Sequence, residues 1–161
     1  MWYPEQVRPI LPIALSSAFL FFVSLPFDVS HFENVDHSAA FVLGLGWMGP
    51  LAFQFGWFAN PILFVGWFVL VIAQRRSMQK INAGFLGFAS LLALSCFVSL
   101  PLGSMSGPHE GELARGFQGF GLAIVLWTLS ILVAFAGAVF QLVSKPLPDK
   151  GRPLSMDRPQ R

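Results

Sequence analysis

The chain is short of charged residues and of cysteine, and both shortages exclude classes of protein. Charged residues make up 11% of its 161 residues, whereas a soluble domain carries about a quarter. The single cysteine, Cys96, excludes an intrachain disulfide and a cluster of cysteine metal ligands. Hydrophobic residues make up 55% of the chain, which is more apolar surface than a soluble fold of this size can bury. The composition therefore predicts an integral membrane protein.

Four apolar stretches are long enough to cross a hydrocarbon core about 30 Å thick. They run from about Pro9 to Pro26, Leu45 to Ala73, Ile81 to Leu102 and Phe117 to Val143. The first has no A-x-A-like cleavage site, so we expect a retained helix rather than a secretory signal. The four stretches predict an all-α fold, an integral membrane four-helix bundle over residues 1–143. Residues 144–161 combine prolines with charged residues, which is typical of a disordered, basic cytoplasmic tail.

Lysine and arginine are unevenly distributed among the predicted loops. All but one flank the predicted spans on the same side, and Arg115 is the exception. The positive-inside rule then predicts cytoplasmic N- and C-termini and two longer loops outside. The basic residues form no single patch, so we do not expect nucleic-acid binding. Those on the cytoplasmic side are Arg8, Arg75, Arg76, Lys80, Lys145, Lys150, Arg152, Arg158 and Arg161.

One pentapeptide occurs twice in the chain. The string Phe-Val-Ser-Leu-Pro occupies residues 22–26 and again residues 97–101, an offset of 75 residues. Each copy ends an odd-numbered predicted helix at the outer face. The repeat predicts a duplicated helical hairpin, with its two copies related by an axis along the membrane normal.

The segment Trp57-Phe58-Ala59-Asn60-Pro61 lies in the middle of the second predicted span. Pro61 predicts a helix kink, while Asn60 and Gln54 bring amide groups to hydrocarbon depth. In one interpretation Asn60 only bonds across helices or caps a carbonyl that the kink frees. In the other, Gln54, Trp57, Asn60 and Pro61 line a site for a lipid, a quinone or a small neutral solute.

This Trp-x-Ala-Asn-Pro segment resembles a motif in small bacterial four-helix inner-membrane proteins with no assigned activity. The resemblance covers about Gly56 to Trp67. It implies a multi-pass protein of the bacterial inner (plasma) membrane, and it implies no mechanism.

The three histidines fall in the predicted outer loops, beside several acidic residues. Histidine and carboxylate ligands suit Zn²⁺, Cu²⁺ or Ni²⁺, which makes His31, His37 and His109 candidate metal ligands. Their spacing matches no strong metal motif. Solvated loops without a metal are the alternative interpretation.

No charged residue and no histidine lies in the central third of any predicted span. That argues against an intramembrane haem or proton relay, and no nucleophile has a base at its depth, so we expect no enzyme. The residues imply no particular cofactor. The first functional hypothesis is a small interaction protein, an accessory or assembly subunit beside another membrane protein or a homo-oligomer. A binding or transport module at Asn60 and an outer-face metal-binding protein are the alternatives.

Overall fold

The computed structural model describes residues 10–32, 36–48, 55–73, 75–103 and 117–144. Its helices are α1 (Ile10–Ser24), α2 (Ala39–Leu45), α3 (Ala59–Ile72), α4 (Arg76–Gly103) and α5 (Leu122–Val143), and a 3₁₀ helix (Gly56–Phe58) precedes α3. Its strands are β1 (Asp28–Phe32), β2 (Asp36–Ser38) and β3 (Phe117–Phe120). The prediction of a mostly helical protein is confirmed. The sheet was not predicted.

The four long helices pack around one core. Helix α5 contacts α1, α3 and α4, and α3 contacts α1 and α4. The connection between α3 and α4 lies beside the C-terminal end of α5, where Arg76 Nη2 donates to the Leu142 carbonyl at 3.0 Å. We call this the far end. The opposite end, where α1 and α4 end and α3 and α5 begin, is called the sheet end.

The sheet has the order β2-β1-β3, with both pairs antiparallel. Its backbone rests on the start of α5, where Gly121 N donates to the Val29 carbonyl at 2.9 Å. A Cβ atom on Gly121 would collide with the Asp28 carbonyl. Glycine is therefore required here by the close approach of two backbones, and this contact fixes the sheet over the helix ends.

Small and polar side chains share the interior with large apolar ones, and many further large apolar side chains lie on the outside. Phe19 is 68% exposed and Phe68 66% exposed, and many other large apolar residues are exposed as well. The buried large apolar residues include Phe21, Leu63, Leu70, Leu86, Ile124 and Ile131, and the buried polar residues are Ser17, Ser24, Ser30, Asn60, Asn82, Ser90, Thr128 and Ser130. Exposure of so many large apolar side chains is unusual in a soluble protein, where such residues are the ones most often buried.

The second predicted span is not one continuous helix. Helix α2 ends at Leu45 and α3 begins only at Ala59. Pro61 therefore lies in the first turn of α3, directly after the 3₁₀ helix, and proline is tolerated in the first turn of an α-helix. The predicted place of Pro61 in the middle of one continuous span is wrong, and the kink itself stays a prediction.

Two helical stretches, Arg76–Pro101 and Leu122–Val143, are long and apolar enough to cross a membrane. Helices α1 and α3 are apolar but shorter, with 15 and 14 residues. The prediction of four membrane-spanning helices is thus met by length and composition for α4 and α5. The predicted tail from Lys145 onward lies outside the described residues.

Candidate functional site

A cavity of about 110 Å³ lies at the sheet end. All four long helices contribute to its wall, together with α2 and β1. Most of the lining is apolar, including Phe21, Leu25 and Ile124. Its polar members are Ser24, Trp57, Asn60, Cys96, Ser99 and Trp127.

Close backbone contacts hold the cavity wall in place. Trp57 lies against Gly46, where a Cβ atom would collide with the indole ring, and Trp57 Nε1 donates to the Leu43 carbonyl at 2.9 Å. Gly56 lies against the Cys96 Sγ atom in the same way. These contacts fix α2 and the 3₁₀ helix against α4, so the cavity is bounded by ordered backbone rather than by side chains alone.

Asn60 and Trp127 form the one direct side-chain hydrogen bond between two cavity-lining residues among those the structure describes. Trp127 Nε1 donates to Asn60 Oδ1 at 2.7 Å. Asn60 is only 6% exposed. The bond joins the first turn of α3 to α5, and it lies at the inner wall of the cavity.

The structure brings together two of the four predicted ligand-binding residues. Trp57 and Asn60 both line the cavity. Pro61 is exposed and lies outside the lining, because it follows Asn60 on the helix and faces away from the core. Gln54 lies outside the described residues.

Several cavity residues were missed by sequence reasoning, although the repeat carried a signal for two pairs of them. Ser24 and Leu25 come from the first copy of the pentapeptide, and Ser99 and Leu100 from the second; all four line the cavity. The copies differ locally, since α1 ends at Ser24 whereas α4 continues through Pro101. The duplicated hairpin itself stays a prediction.

A second polar cluster, between α1 and α5, is fully paired. Ser17 Oγ donates to the Ser130 carbonyl at 2.7 Å, and Ser130 Oγ donates to the Ser17 carbonyl at 2.8 Å. Trp67 Nε1 donates to Ser17 Oγ at 2.7 Å. Because these groups satisfy one another, the cluster fastens helices together and leaves no donor for a ligand.

The candidate metal ligands do not form a metal site within the described part of the chain. His31 lies in β1, with Asp36 as its backbone neighbour in β2, and His37 lies in β2 opposite Ser30. His109 lies outside the described residues. Over those described, no group of three His, Cys, Asp or Glu residues could hold a metal ion.

No family model, curated protein or solved structure matches the chain. A function therefore has to be inferred from the cavity and the surface. In the lining that the structure describes there is no charged side chain and no histidine. The arrangement can hold a small neutral molecule by apolar contact and by hydrogen bonds.

Proposed function

We propose that the chain is a multi-pass protein of the bacterial inner membrane that binds a small neutral molecule at the sheet end. The four long helices cross the bilayer, and both termini are cytoplasmic. The observation that carries the binding function is the cavity, which is lined by all four long helices and has the buried amide of Asn60 in its wall.

The apolar surface supports the membrane location. Soluble monomers rarely expose contiguous apolar patches of more than a few hundred Å². Here, exposed Phe, Leu, Val or Ile side chains occur on every long helix, while several serine and asparagine side chains are buried. Lipid tails are the solvent in which this arrangement is favourable.

Charge at the two ends supports the orientation. Among the described residues, the basic side chains Arg75, Arg76 and Lys80 lie at the far end, and the acidic residues Asp28 and Asp36 lie in the sheet. Basic residues favour the cytoplasmic side. The far end is therefore cytoplasmic and the sheet end outside in this proposal.

The short helices fit this orientation. At 1.5 Å per residue, α1 spans about 22 Å, which is less than the hydrocarbon core. The sheet and α2 lie directly beyond the outer ends of α1 and α3 and add depth there. Non-helical backbone at such a depth is tolerated when protein covers it or a cavity lies beside it, and β1 contributes Val29 to the cavity wall.

The size and lining of the cavity indicate the type of ligand. An engineered protein cavity of about 150 Å³ binds benzene, so 110 Å³ accommodates a ring-sized or short-chain group. The rim residues Val42, Trp57 and Leu100 are partly exposed, so the rest of a longer molecule can extend past them. A charged ligand group is disfavoured because no described residue of the lining would compensate its charge.

The interaction-subunit hypothesis has weaker support. Small residues on helix faces would favour contact with a partner helix, but Ala59, Ala89, Ala93, Ala134 and Ala138 are buried between the chain's own helices. Small residues consumed in this way are not available to a partner helix. A partner protein or a homo-oligomer, and the absence of enzymatic activity, stay predictions.

The binding function can be tested with a pair of matched serine variants on α4. Ser99 lines the cavity. Ser95 lies exposed on the same helix, and its hydroxyl donates to the Leu92 carbonyl of that helix. We expect Ser99→Phe to fill the cavity and Ser95→Phe to leave it open. Wild-type protein and Ser95→Phe should carry a small molecule in native mass spectrometry from a mild detergent, and Ser99→Phe should not.

Equal recovery of the molecule from both variants would place it elsewhere on the protein. A mass increase equal to another polypeptide, or to whole copies of the chain, would instead support the interaction hypothesis. The orientation is tested separately: fluorescent protein fused after Arg161 should fluoresce, and alkaline phosphatase at the same position should be inactive.

A further inference from the structure

The amide of Asn60 is fixed in one orientation. An asparagine side chain has an accepting oxygen at one side and a donating NH₂ group at the other, and the two are usually assigned from their partners. An indole N–H can only donate. Because Trp127 Nε1 lies 2.7 Å from the Asn60 amide, the atom facing Trp127 must be Oδ1, and the NH₂ group must occupy the other position.

That NH₂ group has no acceptor among the described residues. Asn60 is 6% exposed, and over the described residues the bond from Trp127 is the one polar contact of its side chain. Asn82 provides the contrast: its exposure is similar, but its Nδ2 donates to the Gly66 carbonyl at 3.2 Å. The fully buried side-chain atoms without a partner among the described residues are Thr128 Oγ1 and Gln141 Oε1, so Asn60 Nδ2 is accessible, and Asn60 lines the cavity. A donor at the wall of a mostly apolar cavity gains from an acceptor on a ligand.

Three other cavity donors already have acceptors within the protein. Ser24 Oγ donates to the Phe21 carbonyl at 2.6 Å, and Trp57 Nε1 donates to the Leu43 carbonyl. The Cys96 thiol points to the Leu92 carbonyl at 3.6 Å. The Ser99 hydroxyl can donate or accept and therefore does not discriminate between ligands.

We infer that the cavity recognises a carbonyl oxygen on an otherwise apolar molecule. The Asn60 NH₂ group is the donor, and Trp127 fixes the orientation of the Asn60 amide. This inference rests on the proposed binding function. The carbonyl can come from the acyl ester of a membrane lipid or from a free ketone or quinone, and the chemistry that recognises it is the same.

The test uses two probes of nearly identical shape, cyclohexanone and methylenecyclohexane, in which C=CH₂ replaces C=O. The protein is titrated with each in nanodiscs of ether-linked lipid, which has no acyl carbonyl to compete, at equal probe concentration in the membrane phase. The rise in the thermal unfolding midpoint reports binding. The cavity-filled Ser99→Phe protein gives the baseline for nonspecific effects.

We expect wild-type protein to bind the ketone about five to ten times more tightly than the hydrocarbon, as one additional hydrogen bond requires. Asn60→Leu should bring this ratio to about one while hydrocarbon binding persists. Trp127→Phe removes the indole donor and lets the amide rotate, so the ratio should also fall. Asn82→Leu, the control at the other buried asparagine, should lower the midpoint without changing the ratio.

Each outcome has a distinct meaning. If neither probe raises the midpoint above the Ser99→Phe baseline, the proposed binding function is wrong. If both bind equally to wild-type protein, binding stands and carbonyl recognition is overturned; a ratio unchanged in Asn60→Leu or, should that variant not fold, in Trp127→Phe overturns it as well.

The source of the carbonyl is read from the lipid. With ester-linked lipids, a lipid carbonyl would occupy the site and suppress the ketone effect, which should then appear only in ether-linked lipids that lack the carbonyl. An equal ketone effect in both lipids identifies a free carbonyl compound as the ligand.

Discussion

The far half and the sheet half of the helix packing differ in the space beside their small residues. Toward the far end, Gly66 lies against Leu86 and Gly137 against Ile13, with 2.6 and 2.7 Å between each side chain and the position a Cβ would take. Toward the sheet end, Gly46 lies against Trp57 and Gly56 against Cys96 in contacts that are closer still, and both glycines also line the cavity. Glycine closes neighbouring elements onto one another in both regions, and at the sheet end these contacts border open space.

Buried polar groups are mostly paired, and each half contains at least one group without a partner among the described residues. In the far half, Gln141 Nε2 donates to the Leu70 and Ala73 carbonyls and Asn82 bonds to the Gly66 carbonyl, while Gln141 Oε1 has no partner there. Further toward the middle, Ser17 and Ser130 satisfy each other. In the sheet half, the Asn60 NH₂ group has no acceptor among the described residues, and Asn60 lines the cavity. Because the cavity lies in the sheet half, we expect stability and binding to respond to different substitutions.

The largest effect is expected where a side chain is forced into the far half. Gly137→Leu should lower the free energy of unfolding by about 2–3 kcal/mol, because the added side chain must displace Ile13 in a closely packed core. Gly84→Leu is the matched control: a Cβ there meets nothing within 4 Å. It should be neutral or stabilising by up to about 1 kcal/mol.

Reversible unfolding in mixed detergent micelles measures both glycine variants. Probe binding at the sheet end should be retained by Gly137→Leu under conditions where the protein is folded. Similar losses of stability in Gly84→Leu and Gly137→Leu would contradict the close packing of Gly137 against Ile13 as the cause of the loss.

An intermediate effect is expected at the serine pair that joins α1 and α5. Ser17→Ala removes a donor to the Ser130 carbonyl and the acceptor for Trp67 Nε1. Hydrogen bonds between membrane helices contribute about 0.6 kcal/mol on average, so losing two should cost about 1–2 kcal/mol of unfolding free energy. Ser95→Ala, at an exposed serine of α4, should cost almost nothing. If Ser17→Ala lost the ligand at unchanged stability, this cluster would be part of the binding site and not only a link between helices.

The smallest effect is expected at Thr128, where the substitution should raise stability rather than lower it. Thr128 is 5% exposed, and its Oγ1 atom has no hydrogen-bond partner among the described residues. Thr128→Val keeps the shape and removes the unpaired hydroxyl, so the protein should become more stable by less than about 1 kcal/mol. Ser130→Ala, two residues away and at a paired hydroxyl, should lower stability in the same assay. Destabilisation by Thr128→Val would indicate that a water or a ligand bonds to this hydroxyl.

The helical part of the fold was predictable because apolar runs as long as those of α4 and α5 carry a strong signal. The break between α2 and α3 was missed, since residues 45–58 are mostly apolar and hydropathy alone does not register the end of a helix. The Gly49-Pro50 pair in the sequence of that stretch was the available signal. The sheet was missed because its strands are three to five residues long. In addition, β1 pairs with β3, which lies far from it in the sequence.

The site was predictable in part. Asn60 was identified because an amide within an apolar segment is expensive unless it has a use. Its partner Trp127 lies 67 residues away. Nothing in the sequence distinguishes this tryptophan from the other four as the partner of Asn60. The free NH₂ group follows from a single distance, which no spacing along the sequence encodes.

Because β1 lies in the middle of the sheet, between β2 and β3, the sheet can be completed only after β3 has been synthesised. Strand β1 belongs to the first quarter of the chain, and its partner β3 begins at Phe117. A ribosome makes the first helices long before residue 117 exists, so one edge of β1 remains without β3 throughout that time. Gly121 then docks on the backbone of Asp28 and Val29. Since Val29 and the first residues of α5 also form part of the cavity wall, the nascent protein acquires its binding site only as its last helix is made.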